Sequence, residues 1–180
     1  MMRKMMAGAF LLALTAGCGP AKQKERAITP VAEDTTFLTG TFFLVRHAEK
    51  NPGADSTLTA AGERRAGKLY RLLKDSAIQR IYSTPFRRTL QTGDSLRIHL
   101  GIDTVTYPAD STGEGLLYEI SRRGDWGKRI LVIGHSNTLL PLMRSLNAKP
   151  DIDSIADKDY GNLFIIRKTR KDSRYIRKRY

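Results

Sequence analysis

The chain contains a single cysteine, Cys18, among its 180 residues. A lone cysteine cannot form an internal disulfide, so the fold does not depend on one. Beyond the N-terminal segment, no apolar stretch approaches the roughly 20 residues that a membrane-spanning helix requires. Acidic residues are also scarce, with 18 against 31 lysines and arginines, which gives a formal net charge of +13. This balance favours anionic partners: phosphorylated substrates, acidic lipid head groups or nucleic acid.

The N-terminal segment has the organisation of an export signal. Arg3 and Lys4 precede an apolar stretch over residues 7–16, and small residues stand directly before Cys18. This order predicts a secretory signal peptide over residues 1–17. It resembles a lipoprotein signal, in which cleavage before the cysteine leaves a lipid-modified N-terminus, although Thr15 departs from the usual aliphatic residue. An uncleaved apolar N-terminus is the alternative.

Lipidation of Cys18 accounts for an unpaired thiol in an exported protein, because the sulfur becomes the anchor. The sequence therefore predicts a bacterial envelope protein that is held to a membrane through Cys18 and faces the periplasm. Residues 19–36 are polar, contain Pro20 and Pro30 and show no periodicity, and the predicted tether segment extends over residues 18–38. We interpret this segment as the lipidated residue and a flexible tether to one domain at residues 39–180. For an exported protein we expect no nucleic-acid partner.

From Thr41 onward, apolar runs that predict strands alternate with stretches that predict helices. Such alternation indicates an α/β fold with a mostly parallel sheet covered by helices on both faces. A hairpin at the end of the chain is expected to add an antiparallel edge. The sequence predicts strands at 41–45, 79–83, 103–107, 129–133, 163–167 and 175–179, and helices at 59–74, 86–100, 114–123 and 139–146.

The two most apolar strands are each followed by a histidine. Arg46 and His47 follow the first strand, and His135 follows the second. Ligands of open α/β sheets bind outside the carboxyl ends of the strands, so neighbouring strands would bring the two histidines to one pocket. The segment 83–92 would place Arg88 in the first turn of a helix at the same edge. The planar guanidinium of Arg88 matches phosphate oxygens, so the pattern predicts a phosphate pocket. The alternative is that the histidines are structural and the arginine is a solvated surface residue.

Together these segments resemble the histidine phosphatase superfamily, which has the phosphoglycerate mutase-like fold. The resemblance extends over roughly residues 41–180 in order and spacing, so it is more specific than any one motif. It rests on Arg46-His47-Ala48-Glu49, on Leu58-Thr59-Ala60-Ala61-Gly62, on the Pro85-x-x-Arg88-x-x-Gln91-Thr92 stretch and on Gly134-His135-Ser136-Asn137.

The resemblance implies a three-layer sandwich and a phosphatase that acts on a phosphorylated small molecule or phosphoprotein. It implies that His47 is the nucleophile and that Arg46, Arg88 and His135 bind the phosphoryl group. A neutral imidazole can attack phosphorus in line while the surrounding cations stabilise the equatorial oxygens. The phosphohistidine is then hydrolysed by water. Because these cations can take the part that a metal plays elsewhere, we expect neither a metal nor another cofactor.

The proton donor for the leaving group is less clear from the sequence. Asp110 is the first choice because it lies close to the end of the third strand, and Glu114 is the alternative. Asp110 can equally be a turn residue or a helix cap. Absence of an acid would suit good leaving groups, such as the phosphoramidates of protein histidines. Glu49 can either orient His47 or cap its loop.

Other functions remain open at this point. A non-catalytic envelope lipoprotein could retain the phosphate pocket without turnover, and mutase activity is disfavoured because the chain is short. The segment 167–179 contains eight basic residues and one acidic residue. It can be a solvated edge hairpin whose charges prevent edge-to-edge pairing, or a contact for lipid phosphates or an anionic polymer.

Overall fold

The computed structural model describes residues 37–180. The predicted signal peptide, Cys18 and nearly all of the tether lie outside these residues. Within them, one six-stranded sheet is combined with four helices. The strands are β1 (Gly40–Arg46), β2 (Arg80–Ser83), β3 (Thr104–Thr106), β4 (Arg129–Gly134), β5 (Asn162–Lys168) and β6 (Ser173–Arg179), and the helices are α1 (Ala60–Leu73), α2 (Arg87–Leu100), α3 (Glu114–Arg122) and α4 (Leu139–Ser145).

The strand order is β3-β2-β4-β1-β5-β6. The first four of these strands are parallel, whereas β5 and β6 run antiparallel along the other edge. The predicted fold class, a mostly parallel α/β sheet with an antiparallel C-terminal edge, is therefore confirmed. β1 and β4 are neighbours, with Arg46 opposite Gly134 in the register. The residues that follow these two strands therefore emerge side by side.

Alternation along β1 divides the core into two layers. Phe42 and Leu44 face the cluster that contains the apolar side chains of α3 and α4, whereas Phe43 and Val45 face the side chains of α1 and α2. Three of these four residues are fully inaccessible and Phe43 is 3% exposed. A continuous apolar run is thus required here, because both faces of the strand are covered by helices.

Local signals set the ends of several helices. The Thr59 hydroxyl caps α1 by accepting a hydrogen bond from the Gly62 amide at 3.1 Å. Gly101 ends α2 and Asn147 follows α4, both in the left-handed conformation with φ of 61°. A Cβ at position 62 would lie 2.1 Å from the Glu49 carbonyl oxygen, so only glycine lets α1 approach the loop after β1. Among the described residues, no helix is long and apolar enough to cross a membrane.

Candidate active site

His47 directly follows β1, and its amide donates to the Gly134 carbonyl at 3.0 Å. The ring is buried, and its Nδ1 lies 2.7 Å from the Ala48 carbonyl oxygen. Because a carbonyl only accepts, Nδ1 carries the proton and Nε2 keeps its lone pair. Burial, with a further contribution from the nearby cations, lowers the pKa of His47 to about 3. The ring is therefore neutral and nucleophilic at ordinary pH.

His135 directly follows β4, and its ring centroid lies 5.4 Å from that of His47. The prediction that the strand ends bring both histidines together is confirmed. Burial, followed by the charges of Arg88 and Arg46, lowers the pKa of His135 to about 4. Its Nε2 lies 2.9 Å from the Thr84 hydroxyl at the end of β2. The carboxyl ends of three parallel strands thus meet around this ring.

Arg46 and Arg88 each keep a buried Nε without a hydrogen-bond partner in the described part of the chain. Arg46 donates from Nη1 to the Ala156 carbonyl at 2.8 Å, and its guanidinium lies 4.3 Å from the centre of the Tyr160 ring. The Arg88 guanidinium lies 4.3 Å from the centre of the Phe86 ring. An unpaired buried donor is unfavourable unless a ligand completes it. Two such donors beside a pair of histidines favour an anionic ligand.

The histidines and Arg88 share a cavity of about 330 Å³. Arg46 does not line this cavity, because its guanidinium is held by the segment that carries Ala156 and Tyr160. Its charge nevertheless lowers the pKa of each of the other three groups. Among the described residues, no carboxylate lines the cavity. The lining residues are His47, Lys50, Phe86, Arg88, Ala109, His135, Ser136, Asn137 and Thr138.

The Asp110 carboxylate lies outside this cavity and binds the start of α3. It accepts hydrogen bonds from the Thr112 amide at 2.9 Å, from the Gly115 amide at 2.8 Å and from the Gly113 amide. Partial burial raises the pKa of Asp110, but these hydrogen bonds outweigh burial and hold it below the ordinary value. The contacts therefore favour the turn-and-cap interpretation over the predicted general acid. Glu114, the first residue of α3, is exposed and does not line the cavity either.

Glu49 does not contact the His47 ring. Its carboxylate forms a forked pair with Arg65 of α1 at 2.8–3.0 Å, and the hydrogen bonds from Arg65 lower the pKa of Glu49. Arg65 also donates to the backbone carbonyl of Tyr180 at 2.8 Å. Glu49 therefore anchors the loop after His47 to α1 and to the end of the chain, which favours the loop-capping interpretation.

Thr92, Thr84 and Tyr160 support the site without a role having been predicted for them. The Thr92 hydroxyl accepts from the Ala48 amide at 2.9 Å and donates to the Arg88 carbonyl at 2.7 Å, so it ties the loop after His47 to α2. The fixed spacing of Thr92 after Arg88 was visible in the sequence. No local pattern indicated Thr84 or Tyr160, because their partners in the site are distant along the chain.

Comparisons with known proteins agree with this architecture. Residues 42–109 match the model of the Histidine phosphatase superfamily (branch 1), and the match includes Arg46, His47 and Arg88. No curated protein sequence matches the chain.

Three solved structures resemble the chain over most of its length. A structure described as an α-ribazole-5′-P phosphatase from Escherichia coli has a TM-score of 0.60 at 15% identity, with 79% of this chain and 97% of that chain covered. One described as the phosphohistidine phosphatase SixA from Agrobacterium tumefaciens has a TM-score of 0.54 at 22% identity, with coverage of 78% and 96%. The mycobacterial glucosyl-3-phosphoglycerate phosphatase has a TM-score of 0.59 at 12% identity, with coverage of 78% and 97%.

At these identities the solved structures establish the fold, and the family model shows a similarity that is limited to residues 42–109. The matched segment carries His47 with the loop that follows it and the first turn of α2, on a domain with the arrangement of strands and helices expected of that family. Over residues 42–109 the chain is therefore similar to the histidine phosphatase superfamily, and the described domain has the fold of these solved structures.

Proposed function

We propose that this protein is a phosphatase that hydrolyses phosphate monoesters or phosphoramidates through a phosphohistidine on His47, without a metal ion. The observation that carries the proposal is the neutral Nε2 of His47 in a cavity shared with Arg88 and His135. In the first step Nε2 forms a bond to phosphorus as the bond to the leaving group breaks. Water then attacks phosphorus, and the bond to Nε2 breaks with its electron pair returning to the ring.

The charge of the site supports catalysis by side chains alone. Arg88 in the cavity and Arg46 behind it supply two permanent positive charges, and a phosphate dianion carries two negative ones. Positioned cations of this kind stabilise charge on the equatorial oxygens of a transferring phosphoryl group. The buried, unpaired Nε of Arg88, which lines the cavity, is a donor that an oxygen of the substrate would complete. This balance of charge supports the proposal that no metal ion is needed.

Names of the structural neighbours include phosphatases for phosphohistidine and for phosphorylated small molecules. Both substrate classes fit a site whose identified contacts all address the phosphoryl group. A neighbouring cavity of about 390 Å³ shares Ser136 and Asn137 with the catalytic cavity and provides room for an organic group.

The N-terminal sequence supports an envelope location for this activity. An export signal over residues 1–17 and lipidation of Cys18 would anchor the phosphatase to a membrane and direct it toward the periplasm. Incorporation of radiolabelled palmitate into the full chain tests this directly. Label should enter the wild type and be absent from Cys18→Ser, and an unlabelled wild type would contradict lipidation.

Hydrolysis of a chromogenic aryl phosphate by residues 19–180 in excess chelator tests the catalytic proposal. Turnover should survive chelation, vanish in His47→Ala and persist in His99→Ala, whose histidine is exposed on α2. An acid-labile phosphoryl-enzyme should accumulate only when His47 is present. Turnover that disappears with chelator would contradict metal independence. Phosphate binding without turnover would instead favour the non-catalytic phosphate-binding lipoprotein.

A further inference from the structure

A buried chain of hydroxyl groups fixes the protonation of His135. The Thr89 hydroxyl lies 2.7 Å from the Phe86 carbonyl and 2.8 Å from the Thr84 carbonyl, so its proton points to backbone oxygen. The Thr84 hydroxyl therefore donates to Thr89 Oγ1 at 3.0 Å. Having used its proton, Thr84 Oγ1 accepts from Nε2 of His135 at 2.9 Å. Both threonines are fully inaccessible to solvent, so water does not compete for these positions.

This arrangement leaves Nδ1 of His135 as the ring atom that is free to take part in chemistry. Among the described residues, the sole hydrogen-bond neighbour of Nδ1 is Arg88 Nη2, at 3.5 Å. In the neutral ring Nδ1 presents a lone pair, which repels the oxygens of a phosphoryl group. An anion bound against Arg88 and His135 is therefore stable only when a proton lies between Nδ1 and the anion.

The groups around the ring would release that proton rather than retain it. The charged or titratable side chains that face His135 are those of His47, Arg46, Arg88 and Lys50, and none of them is a carboxylate. The positive charges of Arg88 and Arg46 disfavour a proton on Nδ1. The carboxylate of Asp110 is bound by backbone amides. The Asp55 carboxylate accepts a hydrogen bond from the Arg87 amide at 2.7 Å, and the Glu49 carboxylate is paired with Arg65. In the part of the chain that the structure describes, no carboxylate competes for the proton on Nδ1.

We propose that His135 is the general acid of this phosphatase, with Thr84 and Thr89 as the residues that position its ring. The inference rests on the proposed function and deepens it. As the bond from His47 Nε2 to phosphorus forms, the bond to the leaving oxygen or nitrogen breaks. The proton on Nδ1 of His135 moves to that leaving atom. In the second step water attacks phosphorus, and Nδ1 takes the proton that water gives up. Each turnover therefore returns His135 to its protonated form.

The substrate itself can supply the first proton. Phosphate monoesters lose their second proton near pH 6, so the monoanion is abundant in mild acid. Burial and the two arginines hold the pKa of His135 at about 4, so its ring is neutral at higher pH before substrate binds. Binding of the monoanion delivers one proton to the shared position at Nδ1. We expect kcat/KM for poor leaving groups to fall about tenfold per pH unit above about pH 6.

The variant that tests the proposal is His135→Asn, measured on the full chain with aryl and alkyl phosphates of increasing leaving-group pKa. An asparagine amide can donate a hydrogen bond near the position of Nδ1 but cannot transfer a proton. For alkyl phosphates kcat/KM should fall by about 10²–10⁴-fold, as is typical when a general acid is removed. For 2,4-dinitrophenyl phosphate, which needs no acid, the loss should stay below about tenfold.

An equal loss across the series would show that His135 only binds the phosphoryl group, and would overturn the inference. Failure of the proposed function has a different signature, because the wild type would then show no His47-dependent hydrolysis even of 2,4-dinitrophenyl phosphate. Thr84→Val supplies a second test, since it removes the acceptor of Nε2 while conserving volume. It should also impair alkyl phosphates selectively and shift the pH profile. Thr106→Val, at an exposed position of β3, should do neither.

Discussion

Two buried histidines make the stability of the domain sensitive to mild acid. Burial lowers the pKa of His47 to about 3 and that of His135 to about 4. A histidine in the unfolded chain titrates near pH 6.5. Between these values the unfolded chain binds more protons than the folded one. The free energy of unfolding is therefore highest above about pH 6.5 and declines as the pH falls toward the folded-state values.

The size of the effect depends little on how far each pKa is lowered. At about pH 5 both folded-state rings are still largely neutral, whereas the unfolded rings lie about 1.5 units below their pKa, which corresponds to about 2 kcal/mol for each histidine. The two together amount to about 4 kcal/mol, a large part of the 5–15 kcal/mol that is typical of a domain. Carboxylates with lowered pKa values begin to lose their stabilising effect only below about pH 4.5, since Asp and Glu of the unfolded chain titrate near pH 4. They therefore add little to the change in the free energy of unfolding over the higher range.

Urea unfolding between about pH 5 and about pH 7.5 measures this dependence. The wild type should lose about 4 kcal/mol over this range, and the double variant His47→Asn/His135→Asn should lose much less. His99→Asn is the matched control, because His99 is the exposed histidine of α2, and it should follow the wild type. An equal loss in the wild type and the double variant would refute the assignment of the effect to these two rings.

Two further substitutions test the contacts that hold the loop after His47. Thr92→Val leaves the buried Ala48 amide without its acceptor and should lower the free energy of unfolding by about 1–3 kcal/mol in chemical denaturation. Thr92→Ser, which keeps the hydroxyl, should stay close to the wild type. Similar losses in Thr92→Val and Thr92→Ser would contradict a role for the hydroxyl. Arg65→Met breaks the partly exposed pair with Glu49 and should lower stability by about 1 kcal/mol; Lys68→Met, at an exposed position of the same helix, is the control, and an Arg65 variant as stable as this control would contradict the role given to the pair.

Much of the fold could be predicted because its signals are local. β1 and β4 are covered on both faces, so their sequences are continuous apolar runs, and single residues such as Thr59, Gly101 and Asn147 mark helix ends. The strand boundaries differ by at most two residues, as at β6, which begins at Ser173 rather than at Tyr175. The strand order is not a local property. It depends on which helix packs on which face, and no strand order was predicted from the sequence.

The candidate site also combines residues that could be predicted from the sequence with residues that could not. His47, Arg88 and His135 follow strands or begin a helix, so the rule that ligands bind at the carboxyl ends of strands was enough to group them. Their supports could not be found by that rule. Thr84 contacts a histidine 51 positions away, and the Ala156 carbonyl contacts Arg46 across 110 positions. Such contacts arise only when the sheet has assembled.

Asp110 shows why a strand-end carboxylate does not by itself identify an acid. Its role depends on the residues just after it, which turn their amides inward: Gly113 has a φ of 83°, and a Cβ at Gly115 would lie 2.5 Å from the Asp110 carboxylate. Glycine at these positions lets the amides reach the carboxylate and stabilise it as an anion. A group stabilised as an anion is a poor proton donor near neutral pH. The proton must then come from a group whose charged form is stabilised by the substrate, and in this cavity His135 meets that requirement.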